Sequence, residues 1–198
     1  MILNTTMFAN HVLDSDTQIE NANNFTFHPQ KQVLDIGGSA ALPFLRHILD
    51  SDVVKLTAPG MGIQSTLRPK NTDFEVQLDV YYFSESAYRI IVNTTQPALF
   101  NAWLSPFEDM YDIDIINRSD LAVMLVSGDD AFDMLVEQFK FTPGIRLSDS
   151  QQRFGAQSGR VFVTAVHANE RNSYELLASP TELANWQQEF TKLGFINS

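Results

Sequence analysis

The chain has 198 residues, 44% of them hydrophobic, and a formal net charge of -11. That apolar content suffices to bury a substantial core, so the sequence reads as one folded unit or two small interleaved subdomains rather than a disordered chain. The acidity, uninterrupted by any Lys/Arg cluster, disfavours nucleic acid and anionic membranes and leaves small molecules and protein surfaces as partners.

No cysteine is present, which excludes disulfides, thiolate metal sites and a Cys nucleophile. The start, Met1 to Met7, lacks the regions of a signal peptide, and no run approaches the ~20 apolar residues of a membrane span, so a cytoplasmic protein is expected. Residues 1–30 read as a polar leader and residues 31–198 as the folded domain, with order beginning near Gln30. Gln32 to Ile36 alternates as a strand, Gly37-Gly38 turns, and Ser39 is placed to cap a helix that buries Leu42, Leu45, Ile48 and Leu49.

Pro59 to Gly62 breaks the chain ahead of a short strand, and Phe74 to Phe83 with Tyr88 to Val92 predicts a hairpin across Ser84-Glu85-Ser86. Gln96 to Leu104 predicts a helix with Leu99, Trp103 and Leu104 inward, followed by a strand pair, Ile113 to Ile116 with Ala122 to Val126. Asp129 to Phe139 predicts a helix with Phe132, Leu135, Val136 and Phe139 on one stripe. A polar stretch from Ser148 to Gly159 precedes strands at Val161 to Val166 and Tyr174 to Leu177, and Pro180 to Leu193 reads as an amphipathic helix stopped by Gly194. Strand pairs that return behind helices suit α+β sandwiches of ferredoxin-like type better than a doubly wound parallel sheet.

The residues alone name no active site. His11, His28, His47 and His167 have no metal-ligand spacing and no triad context. Gly60-x-Gly62 lacks the third glycine and the helix of a phosphate loop, Asp129-Asp130 caps a helix start, and Tyr81, Tyr82 and Phe83 read as packing residues.

From Ser39 to Glu175, however, an ordered series of phrases resembles the amino-terminal, folate-pocket region of the glycine cleavage aminomethyltransferase (T-protein) family. The series runs Phe44-Leu45-Arg46, Asp52 to Thr57, Pro59-Gly60, Leu78 to Phe83, Tyr88 to Asn93, Asp120 to Val123 with Gly128, Phe154 to Val163, and Tyr174-Glu175. The resemblance implies a T-protein-like α+β region of ferredoxin-like sandwich subdomains, here lacking the carboxy-terminal β-barrel domain. It also implies tetrahydrofolate as the cofactor and aminomethyl transfer as the ancestral reaction, with no metal. The family's pocket tyrosine corresponds to Gln64, and its pair of aspartates, one of which orients the folate amine, to Val76 and Gln77. Neither Val76 nor Gln77 titrates near neutrality. Glu75 and Asp79 flank this place and are expected on the face opposite Gln77.

The family glutamate that grips the pterin ring corresponds to Arg171, with Glu170 beside it. Asn93, Tyr174 and Glu175 match the family, so Asn93, Glu170, Tyr174 and Glu175 are the candidate cofactor-binding residues, and no catalytic residue is assigned. Loss of two charge-assisted hydrogen bonds, at roughly 1.5–3 kcal/mol each, weakens folate binding by about two to four orders of magnitude. The resemblance thus implies a catalytically degenerate module, working as a homo-oligomer or with a partner subunit. The alternative is a minimal or split transferase completed by a partner chain.

Overall fold

The computed structural model describes residues 23–68, 75–139, 152–168 and 171–198. Among them lie strands β1 (Asn24–Phe27), β2 (Lys31–Gly37), β3 (Met61–Leu67), β4 (Val76–Ser84), β5 (Ala87–Asn93), β6 (Asp114–Asn117), β7 (Ala122–Ser127), β8 (Gln152–Ser158), β9 (Val161–Ala168), β10 (Arg171–Ala178) and β11 (Ile196–Asn197). The helices are α1 (Ala41–Ile48), α2 (Pro97–Leu104), α3 (Pro106–Met110), α4 (Ala131–Phe139) and α5 (Pro180–Lys192), with a 3-10 turn at Val53–Lys55.

The strands join into one curled sheet in the order β11-β1-β7-β10-β9-β8-β3-β4-β5-β2-β6, antiparallel except where β1 meets β11. One half packs its outer face under α4 and α5, around Phe25, Met124, Leu135, Leu176, Leu183 and Phe190. The other half packs under α1 and α2, around Leu34, Phe44, Leu45, Val80, Ile90 and Phe100. Curling brings the inner faces together over a third cluster, Val33, Tyr81, Ile91, Val123, Phe162 and Leu177, drawn from both halves. The architecture is α+β, with helices outside and a concave sheet surface inside.

Two glycines make that inner layer possible. A Cβ on Gly62 would lie 2.7 Å from the Tyr81 ring and 2.8 Å from Arg153 Cβ, and one on Gly155 would lie 2.2 Å from Phe162 Cζ. Large rings therefore cross neighbouring strands only because those strands carry no side chain there.

Several local expectations change. Strand β1 (Asn24–Phe27) lies ahead of Gln30: it pairs with β7 and β11, and its Asn-Phe-Thr-Phe alternation buries Phe25 in the core. Ser39 does not cap α1; its hydroxyl donates to the Asp112 carboxylate, and Ala40 holds the cap position. Gly38 has φ 107° and its backbone lies against Asp112 and Ile113, so the turn is shaped by that close approach. In α1, Ala41, Phe44 and Leu45 are buried, as is Leu49 just past its end, while Leu42 and Ile48 are half-buried.

Leu99 is 49% exposed; Phe100 and Leu104 form the buried side of α2. β6 and β7 do not pair with each other. β6 joins β2 and β7 joins β1 and β10, at opposite ends of the sheet. Within 148–159, β8 bridges the two halves, pairing with β3 and β9. The closing helix stands as expected: Pro180 begins it, Ser179 Oγ accepts from Glu182 N–H, and Gly194 follows with φ 85°.

Candidate ligand site on the concave face

Strand register fixes which side chains share the inner face. Across β2, β5 and β4, Lys31 lies opposite Asn93 and Asn93 opposite Gln77, and in the next row Val33 lies opposite Ile91 and Ile91 opposite Asp79. Gln64 of β3 faces Asp79. From the other half, Glu175 of β10 lies between Thr164 and Leu125. Asn93, Gln77 and Gln64 are exposed, marking the rim, whereas Asp79, Arg153, Thr164 and Glu175 are buried.

The buried polar groups meet across the space between the halves. Lys31 Nζ donates to Glu175 Oε1, and Arg153 Nε donates to Asp79 Oδ1 at 3.2 Å. Thr164 Oγ1 donates to the Tyr81 hydroxyl at 2.6 Å, and within one half, on the paired strands β7 and β10, the Ser127 and Ser173 hydroxyls are 2.8 Å apart. Glu175 Oε2 is buried and has no hydrogen-bond partner among the described residues. Burial, reinforced by repulsion from Glu175, pushes the Asp79 carboxyl up to about 6 against the pull of Arg153 and Lys31. Burial also raises the Tyr81 phenol well above its ordinary value, so it stays protonated. His28 titrates lower than usual because of burial and the Lys31 charge, which outweigh the opposing pull of Glu175.

Beyond the apolar floor lies a second network. Arg89 holds Asp35 through two hydrogen bonds of 2.7 and 2.9 Å, and Arg118 bridges Asp35 at 2.7 Å and Asp120 at 2.8 Å. The Arg89 guanidinium also lies over Phe83 and Phe162, 5.5 and 5.3 Å from their ring centroids. Burial opposes ionisation of Asp35, but the two guanidinium donors overcome it and hold its carboxyl below the usual range. A separate cavity of about 240 Å³ lies outside, against α2 and α3; its one carboxylate, Glu108, accepts the Ile115 N–H at 3.1 Å.

Of the sequence-derived candidates, Asn93 and Glu175 share the concave face. Tyr174 lies on the opposite face, packed 6.2 Å from Phe132 in the core, and Glu170 falls outside the described residues. Val76 is 2% exposed in the helix-covered core, whereas Gln64 and Gln77 face the concave side. The expectation for Asp79 is corrected. Residues two apart on a strand share a face, and Asp79 stands with Gln77 and Tyr81 above the concavity.

Lys31, Asp79, Arg153 and Thr164 complete the candidate site, and the sequence alone marks none of them as a ligand-binding residue. The signal present was a cation opening an apolar strand at Lys31 and a carboxylate inside the apolar run of β4. Among the described residues no three His, Cys, Asp or Glu side chains converge in the manner of a metal site. No described helix is long and apolar enough to cross a membrane.

This curled sheet has solved counterparts. The chain is similar to the glycine cleavage system aminomethyltransferase T from Bartonella henselae, with a TM-score of 0.70 and 17% identity over 83% of this chain and 45% of that one. The fold is T-protein-like. It is also similar to a chain of the heterotetrameric sarcosine oxidase from Corynebacterium sp. U-96, solved in complex with pyrrole 2-carboxylate, with a TM-score of 0.53 and 13% identity over 83% of this chain and 80% of that one. No family model matches the sequence. At these identities the likeness is one of fold, and the chain spans less than half the length of the Bartonella protein.

Proposed function

We propose that this chain is a catalytically degenerate relative of the aminomethyltransferases, a structural or ligand-binding module linked to one-carbon metabolism that works with a second chain. The observation that carries the reading is the self-neutralised concave face: Glu175 is engaged by Lys31 and Asp79 by Arg153, all four from this chain. The positions matched to the family's pair of aspartates hold Val76, whose side chain lies in the apolar core, and Gln77, an amide, so neither supplies a titratable carboxylate. Tetrahydrofolate fits these residues in part. Among the described residues Glu175 Oε2 is without a hydrogen-bond partner and could accept from a ring N–H, whereas the positions matched to the family's two aspartates hold Val76 and Gln77, neither of them a carboxylate.

The partner half of the proposal draws support from the similarity to a chain of a heterotetrameric sarcosine oxidase. A second chain, or a second copy, would cover the rim at Gln64, Gln77 and Asn93.

One observation favours the alternative of a minimal or split transferase. Asp79 lies two residues along the same strand from Gln77, on the same face, with its carboxyl raised to about 6, close to where a general base works.

Calorimetric titration of the purified chain with tetrahydrofolate and 5-formyltetrahydrofolate separates the two. Binding weaker than about 0.1 mM is expected from the lost contacts; one-site micromolar binding would sink the degenerate reading. Light scattering on the eluting protein is expected to give a mass above the 22.3 kDa monomer alone or with its partner; a monomer that captures no second chain counts against the assembly.

A further inference from the structure

Glu175 combines features rarely found together in a residue that serves packing alone. It is 2% exposed, one of its oxygens meets the Lys31 ammonium, and the other has no hydrogen-bond partner among the described residues. A buried carboxylate ordinarily satisfies both oxygens, because each unpaired acceptor keeps its desolvation cost. An ammonium is a point donor and serves one oxygen here. Two parallel N–H donors on a flat group would serve both.

The Lys31 end of this contact differs in kind. Lys31 opens β2 and lies in the rim row with Asn93 and Gln77, both exposed, and its side chain retains 14% exposure. Its flexible stem starts at the mouth and carries the charge inward, so it can withdraw without unmaking a strand. Glu175, by contrast, stands mid-strand between β7 and β9 and is fixed. The surroundings suit a flat ligand. Apolar surface from Val33, Ile91 and Leu177 lies below, and Asp79 adds a second carboxylate close enough to feel the charge of Glu175.

We propose that Lys31 is a tethered pseudo-ligand: its ammonium occupies the acceptor of Glu175 in the place of a planar ligand bearing two parallel N–H donors, and so keeps the concave site closed to that class. The proposal rests on the reading of the concave face as a ligand site with Glu175 as its acceptor, and adds what closes it. Benzamidine is the chosen probe, since it offers two parallel N–H donors on a flat apolar body and nothing of folate. Lys31→Met keeps the length of the stem and removes the charge.

Calorimetry on the full chain is expected to show benzamidine binding K31M at least about tenfold more tightly than the parent, with the gain lost in the double variant K31M/E175Q. Folded K31M that binds benzamidine no tighter than the parent overturns the proposal, as does a double variant that keeps the gain. Should K31M fail to fold, acetylation of the parent chain followed by mass spectrometry decides. Lys31 is expected to react at least about tenfold more slowly than exposed Lys55 and Lys192, and to lose that protection in E175Q. Equal rates at the three lysines overturn the proposal. Failure here is separable from failure of the functional reading, which turns on the affinity of the unmodified chain for folate and not on the variant-to-parent ratio for benzamidine.

Discussion

Replacing Asp79 by Asn tests how the concave face is charged. Burial and the Glu175 charge raise this carboxyl from 3.8 to about 6 despite Arg153 and Lys31. The folded chain therefore holds the proton more tightly than the unfolded chain. The stabilisation from this group is full below about pH 3.8 and is lost as pH rises through about 6. A gap of about two pH units amounts to a few kcal/mol, roughly half of which falls between about pH 5 and pH 8.

Asn has nearly the shape of the protonated acid and does not titrate. Urea denaturation of D79N and its parent at about pH 5 and pH 8 should therefore show the variant gaining about 1–2 kcal/mol on the parent across that interval. The competing picture makes the Asp79–Arg153 pair a strut. Its loss would strand a buried guanidinium at a cost of about 3–5 kcal/mol. Destabilisation of that size, equal at both pH values, would refute the reasoning.

Two further predictions follow from the packing. Gly155→Ala puts a methyl 2.2 Å from Phe162 Cζ, so the ring must leave its seat between Tyr81 and Arg89; a loss of about 1–3 kcal/mol is expected in thermal or urea melts, while Gly159→Ala, with nothing within 4 Å but φ 57°, should cost only about 1 kcal/mol. Arg89→Met leaves Asp35 to Arg118 alone and removes the cation over Phe83 and Phe162, for an expected loss of about 2–4 kcal/mol at neutral pH. Because the carboxyl of Asp35 is held low, its contribution is present above its unfolded value of 3.8 and lost as pH falls through the lower folded value, so the gap between R89M and its parent should narrow in acid melts.

Much of the scaffold was legible because its elements carry their own periodicity. The β4–β5 hairpin and the helix at Pro180 could be read from alternation, capping and glycine. What escaped was imposed from outside the segment. β8 is a polar stretch that becomes a strand because it is paired on two sides, β1 is a four-residue Asn-Phe-Thr-Phe run set in polar sequence, and Leu99 faces out because Phe100 takes the buried side of α2. Sequence adjacency suggested that β6 and β7 pair, but the curl of the sheet sends them to opposite ends. In the site, Glu175 was visible as part of a phrase, whereas its partner Lys31 was not, since nothing local announces a contact across 144 positions.

Those long-range contacts share a geometry that bears on both readings of the chain. Lys31 to Glu175, Asp79 to Arg153, Tyr81 to Thr164 and Arg89 to Phe162 each join one half of the curled sheet to the other. Between them lies only a small apolar cluster, Val33, Tyr81, Ile91, Val123, Phe162 and Leu177, against the larger cores under the helices. Buried ion pairs add little net stability, since desolvation consumes most of their attraction, but they penalise wrong arrangements. Their effect here is to set how the two halves meet more than how firmly each half folds. A ligand that displaces Lys31 therefore exchanges one cross-half contact for its own, and its affinity is reduced by what that contact contributed to closure. On the proposed reading, such a site would favour ligands that touch both halves at once, reaching Glu175 on β10 and Asp79 on β4 together, over any that engage one carboxylate alone.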